Sequence, residues 1–171
     1  TLDGTLFPYT TLFRSPDELN RLIFNELNRI ILENPHWDKY LTLLITQFDF
    51  KARICRLVSA GHPHPIYVSS EKQKAEIINL CNTFPIGWTK ALEYHETQLH
   101  FQKDDLLFLY TDGLINLTHP NYPAMDEKGL ADTIQTMISS GKTEAYKEYL
   151  TELFKSYQNH DDQTMLMIRI K

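Results

Sequence analysis

Residues 106–113, with the sequence LLFLYTDG, decide the fold and mark its first candidate site. Five consecutive apolar residues between polar neighbours are typical of a central strand that is buried on both faces. An acidic side chain directly after such a strand stands on a rigid support and points into a crevice, and Asp112 occupies that place. Gly113 lets the backbone approach a ligand closely or adopt a positive φ angle. Asp112 and Gly113 are therefore candidate site residues.

A second acidic motif, residues 161–164 (DDQT), stands at the start of the last apolar run, residues 164–170. If that run forms a strand beside the first one, the carboxylates of Asp161 and Asp162 converge with that of Asp112. Converging carboxylates repel one another unless a cation neutralises them. Hard divalent ions such as Mg²⁺ and Mn²⁺ bind oxygen ligands and can activate water for attack on a phosphate. Each motif alone is more typical of an ordinary turn or cap, but the pair predicts a divalent-metal site.

Apolar periodicity predicts the elements around these motifs. Spacings of three and four residues indicate helices, and β-branched apolar runs indicate strands. The expected helices are 16–34, 126–138 and 143–157, and the expected strands are 40–48, 52–59, 66–68, 75–80, 94–101, 106–110 and 164–170. A turn at residues 49–51 predicts that the first two strands form a hairpin. No repeat or linker interrupts this order, so we expect one α+β domain, a layered sandwich with mostly antiparallel sheets.

The first fifteen residues stand apart from this pattern. Residues 5–15, TLFPYTTLFRS, match the in-frame translation of a common sequencing-library adapter, and such a segment is set aside before fold reasoning. Residues 2–6, LDGTL, are similar to the nucleophile loop of haloacid-dehalogenase-type hydrolases, which carry an aspartate two residues before Asp3. Thr1 stands at that position, which argues against such a hydrolase. We therefore expect the biological sequence to begin near Pro16.

Composition excludes several classes of protein. The 171 residues include 22 acidic and 17 basic side chains, for a net charge of −5, and no basic run indicates nucleic-acid binding. No stretch approaches the roughly 18 to 20 apolar residues that a membrane span needs, and no secretory signal is visible. We therefore expect a cytoplasmic protein. Cys55 and Cys81 have no metal-ligand spacing and are expected to be small buried residues rather than a disulfide.

Further motifs share the order and spacing of the two acidic ones. They read PDEL at residues 16–19, SAGHPHP at 59–65, PIG at 85–87, KDDLLFLYTDG at 103–113 and DDQT at 161–164. This series resembles the SpoIIE-like (sporulation phosphatase) subgroup of PPM-type metal-dependent protein phosphatases, across residues 16–171. The resemblance implies a protein-phosphatase-2C-like α-β-β-α sandwich, and we expect it to be incomplete at the N-terminus.

The resemblance also implies roles for particular residues. Asp112 and Asp161 would be catalytic ligands of the same metal ion, with Gly113 beside them. Asp162 aligns with a position that is often Asn in distant relatives, so it is a weaker candidate for a metal ligand than Asp112 and Asp161. The loop with Gly61 and His62 would shape the site, and we do not expect His62 to be a general acid.

By the same resemblance, the protein would be a protein-serine/threonine phosphatase, a phosphoric monoester hydrolase that uses two Mn²⁺ or Mg²⁺ ions. Its substrate would be a phosphorylated bacterial regulatory protein, for example an anti-anti-sigma (STAS) protein. Three departures stand out: residues 1–40 contain no match to the family's first metal-binding aspartate, residues 103–105 (KDD) replace a proline-glycine-aspartate turn, and Asn116 replaces an acid. We therefore expect weak or no activity from these 171 residues, and a non-catalytic pseudophosphatase or interaction module of the same fold stays open.

Overall fold

The computed structural model describes residues 16–171, apart from residues 35, 37, 38, 82, 91, 159 and 160. The adapter-like segment, residues 1–15, therefore lies outside the described residues. The chain divides into two compact units. Unit 1 includes residues up to 47, 56–61 and 81–98, and unit 2 comprises residues 48–55, 62–80 and 99–171.

Within the described residues, three α-helices and seven strands follow the predicted order. They are α1 (Pro16–Leu32), β1 (Leu43–Asp49), β2 (Ile54–Ala60), β3 (Ile66–Ser69), β4 (Lys74–Ile77), β5 (Glu96–His100), β6 (Leu106–Tyr110), α2 (Glu127–Ser139), α3 (Tyr146–Phe154) and β7 (Met165–Arg169). Most are a few residues shorter than the sequence predicts. The fold is α+β, as expected.

A four-stranded sheet in unit 2 has the order β4-β3-β6-β7. All three of its strand pairs are antiparallel. β6 lies between β3 and β7, and in the register with β7 Tyr110 faces Met165. The predicted central position of residues 106–110 is confirmed, and the pairing with the last strand meets the condition under which the two acidic motifs come together.

The core of unit 2 is formed by this sheet together with α2 and α3. Phe108 on β6 and Ile134 on α2 are fully buried in it, and Leu150 and Phe154 of α3 belong to the same cluster. The side chain of Asp126 caps α2 by accepting a hydrogen bond from the Gly129 amide at 2.6 Å. A packed helix layer thus supports the end of β6 that carries Asp112.

A second sheet has the strand order β1-β2-β5, which confirms that β1 and β2 are neighbours. The turn between them is stabilised by the Asp49 carboxylate, which accepts hydrogen bonds from the amides of Lys51 at 3.0 Å and Ala52 at 2.9 Å. In unit 1, α1 buries Phe24 in a small apolar cluster with Val58, Ala60 and Ile86.

The sequence predicts that both cysteines are buried and that the chain has no membrane-spanning helix. Cys55 is buried as predicted, and burial raises the pKa of its thiol to about 11. The prediction for Cys81 is wrong, because this cysteine is exposed. Within the described ranges, no helix has the length and apolar character that a membrane crossing requires.

Candidate functional site

The candidate site in unit 2 lies where β6 ends and β7 begins. Asp112 opens a 3₁₀ helix, Asp112–Leu114, whose Gly113 and Leu114 are buried while the Asp112 side chain is exposed. The Leu114 amide donates to the Thr111 carbonyl at 3.1 Å, and the Ile115 amide donates to the Asp112 carbonyl at 3.0 Å. Asp112 therefore presents its carboxylate to solvent from a hydrogen-bonded turn.

Thr111 joins this turn to the segment before β7. Its hydroxyl donates to the Asp162 carbonyl at 3.2 Å and accepts from the Thr164 amide at 3.0 Å. Its own amide donates to the Thr164 carbonyl at 3.1 Å. We call residues 111–114 and 161–164 the acidic loops. Sequence reasoning assigned no role to Thr111, although it holds the two acidic loops together.

Glycine is required at position 113 for a reason that differs in part from the two that the sequence suggests. Its φ angle is not positive, unlike those of Gly61, Gly87 and Gly141. A Cβ atom at this position would lie 3.3 Å from the Asp161 carbonyl oxygen and closer still to the Asp162 carbonyl. The required close approach is therefore between the backbones of the two acidic loops, at Gly113 on one side and at Asp161 and Asp162 on the other.

Asp161 and Asp162 both expose their side chains at the entry to β7. The Asp162 amide donates to the Asp161 carboxylate at 2.7 Å, so Asp161 is oriented by its own loop. Among the residues that the structure describes, which leave out 159 and 160, no group of three or more His, Cys, Asp or Glu side chains is arranged to hold a metal. Mg²⁺ typically binds through one or two carboxylates and keeps several waters, so exposed aspartates on joined loops fit such an ion in donor type.

Gly61 is the last residue of a unit 1 segment, and His62 is the first residue of a unit 2 segment. In unit 1, Gly61 has a φ of +67°, and a Cβ atom there would lie 2.6 Å from the Pro85 side chain, so only glycine fits. In unit 2, the His62 ring nitrogen Nδ1 lies 3.2 Å from the Pro63 carbonyl.

Contacts that no local pattern indicates hold residues 62–65 in place. The His64 amide donates to the Glu127 carboxylate at 2.9 Å, and the Tyr110 hydroxyl donates to the His64 carbonyl at 2.7 Å. The Leu80 amide also donates to the His64 ring nitrogen Nδ1 at 3.1 Å. The loop that follows Gly61 is thus tied to β6 and to the start of α2.

Asp105, immediately before β6, is a buried carboxylate that sequence reasoning treated only as part of a turn. It is 1% exposed and accepts hydrogen bonds from the Ser70 amide at 2.7 Å, the Gln102 amide at 2.6 Å and the Tyr67 hydroxyl. Burial raises the pKa of the Asp105 carboxyl, but these hydrogen bonds outweigh it, and the pKa lies below the ordinary value. Asp105 fixes the entry of the strand whose far end carries Asp112.

Comparison with known proteins identifies chains of similar sequence and similar fold. Phosphoserine phosphatase RsbU of Bacillus subtilis (strain 168) is 23% identical over 151 residues, which cover 87% of this chain and 44% of RsbU. The crystal structure of the RsbU and RsbW domains of Rv1364c from Mycobacterium tuberculosis has a TM-score of 0.69 and 22% identity, over 95% of this chain and 44% of that one. The manganese-presoaked phosphatase domain of SpoIIE from Bacillus subtilis has a TM-score of 0.55 and 19% identity, over 88% and 65%.

These likenesses confirm the protein-phosphatase-2C-like fold that the sequence motifs implied. The chain spans less than half the length of the curated relatives it matches. The family described as Stage II sporulation protein E (SpoIIE) matches residues 11–171, a range that contains every motif of the series. The chain therefore belongs to the SpoIIE family.

Proposed function

We propose that this chain carries the active site of a bacterial phosphatase that hydrolyses phosphoserine or phosphothreonine in a regulatory protein. The observation that carries the proposal is the linkage of the two acidic loops through Thr111 and Gly113, with Asp112 and Asp161 exposed beside it. The match of residues 11–171 to the SpoIIE family and the likeness to phosphoserine phosphatase RsbU support it.

The proposed metal ligands are Asp112 and Asp161, with the Gly113 backbone beside them and Asp162 as a weaker candidate. Mn²⁺ or Mg²⁺ suits carboxylate oxygens on solvent-open loops. When bound, such an ion supplies Lewis-acid stabilisation of phosphoryl charge and lowers the pKa of a coordinated water. The part of the protein is to fix the carboxylates: Thr111 sets the distance between the loops, and Asp105 and Tyr110 anchor the two ends of β6.

The proposed substrate is a phosphorylated regulatory protein, and an anti-anti-sigma (STAS) protein is the first candidate to test. The likeness to RsbU, a phosphoserine phosphatase, supports a substrate that carries phosphoserine. We propose that the reaction takes place in the cytoplasm, where such regulators act.

The test is Mn²⁺-dependent hydrolysis of p-nitrophenyl phosphate by this chain and by a form extended upstream from the source gene. We expect activity in the extended form and weak or no activity in the 171-residue chain. In the extended form, Asp112→Ala should lower the rate of hydrolysis at least about a hundredfold, because loss of a metal ligand removes several kcal/mol of charge stabilisation. Asp132→Ala, at an exposed aspartate on α2, is the matched control and should leave the rate unchanged.

A non-catalytic module that binds phosphoproteins is the second candidate. It is favoured by the small number of acidic ligands, since no group of three or more lies together in the described part of the chain. An extended form that is folded, carries the additional aspartate and binds Mn²⁺, yet never releases phosphate, would establish this candidate and refute the enzyme.

A further inference from the structure

A cavity of about 570 Å³ in unit 2 opens beside the acidic loops. Leu114, next to Gly113, and Gln163, next to Asp162, both line it. The opposite wall is one face of α3, on which buried Leu150 and Phe154 present apolar surface. Residues directly next to the candidate metal ligands in the chain thus line this cavity. The proposed hydrolysis itself does not use it.

The rim of this cavity is positively charged in a protein whose net charge is −5. Lys147, Thr151 and Lys155 line it at four-residue intervals and are exposed. Eight residues of α-helix rise about 12 Å, so the two lysines stand about that far apart along the axis.

The two lysines are available to a ligand. The Lys147 ammonium lies 6.0 Å from the centre of the Tyr146 ring, and it forms no ion pair with a carboxylate of the described residues. Lys155 contacts Glu152 at 2.6 Å, but both side chains are well exposed, and such surface pairs contribute little and exchange partners readily. A cationic rim over an apolar wall is suited to an acidic segment with an apolar side chain.

We propose that this cavity is a docking subsite for the protein substrate. Its occupant is an extended segment beside the phosphorylated residue, with acidic side chains three or four residues apart and an apolar side chain between them. An extended chain rises about 3.3 Å per residue, so that spacing matches lysines about 12 Å apart. The proposal rests on the proposed function, because it takes the acidic loops to be where the phosphate is bound.

Peptide binding, measured without turnover, tests the subsite separately from the chemistry. The probe is a fluorescent phosphoserine peptide with two glutamates four residues apart and a leucine between them. A second peptide carries lysines in place of the glutamates. Fluorescence anisotropy of the 171-residue chain, at low ionic strength where charge pairs are least screened, should show at least about tenfold tighter binding of the acidic peptide.

Charge reversal on the rim locates the binding. Lys147→Glu and Lys155→Glu should each weaken binding of the acidic peptide at least about fivefold. Lys72→Glu, which makes the same charge change at the exposed turn between β3 and β4, should change it less than about twofold. Because all three lysines are exposed, circular dichroism should show the same folded content in each variant.

The proposal would be overturned by equal binding of both peptides, by no effect of the two rim variants, or by an equal effect of Lys72→Glu. Sedimentation that shows pairing of copies, abolished by Lys147→Glu without a change in peptide binding, would assign the cavity to a second copy and also overturn it. Absent hydrolysis by the extended form, with intact rim-dependent binding, refutes only the proposed phosphatase. If Asp112→Ala abolishes hydrolysis while the two rim variants leave peptide binding unchanged, only the subsite is refuted.

Discussion

A Cβ atom on Gly113 would lie 2.9 Å from the carbonyl carbon of Asp162, which is closer than real side-chain atoms approach a backbone. Because the clash is with backbone, no side-chain rotation relieves it. Gly113→Ala should therefore push the acidic loops apart. We expect a loss of about 1–3 kcal/mol in the free energy of unfolding, together with weaker Mn²⁺ binding by titration calorimetry.

Gly141→Ala is the matched control for this substitution. Gly141 has a φ of +70° and nothing within 4 Å of its Cβ position, so alanine there costs only conformational strain, about 1 kcal/mol. Mn²⁺ affinity should stay unchanged in this variant. If Gly113→Ala and Gly141→Ala bind Mn²⁺ equally well, the close backbone approach does not shape a metal site.

Local pattern was sufficient to predict the elements that meet at this point. The apolar run of β6 and the periodicity of α2 depend on near neighbours in the chain, and both elements were predicted nearly to their ends. Asp112 was predicted as a candidate because it directly follows such a strand. The proximity of the acidic loops followed from the pairing of β6 with β7.

Contacts between distant residues could not be predicted in the same way. The Thr111 hydroxyl reaches the Asp162 carbonyl across 51 residues of sequence, and no spacing rule indicates it. Asp105 lies in a polar KDD turn, yet it is almost fully buried because the β3–β4 turn closes over it through Ser70. Cys81 shows the reverse case, since its apolar character did not bring burial.

Asp104 occupies a backbone conformation that favours glycine. Its φ is +67°, and its amide donates to the Ile170 carbonyl at 2.7 Å. The turn that this segment resembles has glycine at the same position, which the positive φ now explains. Asp104→Gly should stabilise the protein by about 0.5–1 kcal/mol in urea denaturation, by removing the steric cost of a Cβ in the left-handed region.

Asp104→Ala separates backbone strain from charge. Alanine keeps the Cβ but loses the short polar side chain that makes aspartate tolerable at positive φ, so this variant should be less stable than the original protein. A variant order other than Gly above Asp above Ala would mean that the carboxylate, not the backbone, controls this turn.

Tyr110 anchors the loop after Gly61 through its hydroxyl. Its side chain is 3% exposed, and Tyr110→Phe leaves the His64 carbonyl without that donor. We expect a loss of about 1–2 kcal/mol in the free energy of unfolding and faster amide hydrogen exchange in residues 62–65. Tyr122→Phe, at a tyrosine that is 63% exposed, should change neither quantity. Unchanged exchange in Tyr110→Phe would show that the contacts of His64 with Glu127 and Leu80 hold the loop without this hydroxyl.

Asp105 predicts a specific dependence of stability on pH. Because hydrogen bonds hold its pKa below the ordinary value of 3.8, the folded state favours the ionised form. This contribution is fully present above the unfolded-state pKa and is lost as pH falls through the lower folded-state pKa, so it fades below about pH 4. Asp105→Asn presents an amide donor to groups that are themselves donors, and it should cost about 2–3 kcal/mol at neutral pH.

Urea denaturation of the original protein and of Asp105→Asn, from about pH 7 to about pH 3, checks this. The difference in the free energy of unfolding between the two proteins should be constant near pH 7 and should narrow as the pH falls below about 4. Protonation of Asp105 then removes the same negative charge that the substitution by asparagine has already removed. Asp132→Asn, at an exposed aspartate paired with Lys128, should show a small difference throughout. A difference that stays constant down to pH 3 would mean that the Asp105 pKa does not differ between the folded and unfolded protein, and that the residue contributes through its shape rather than its charge.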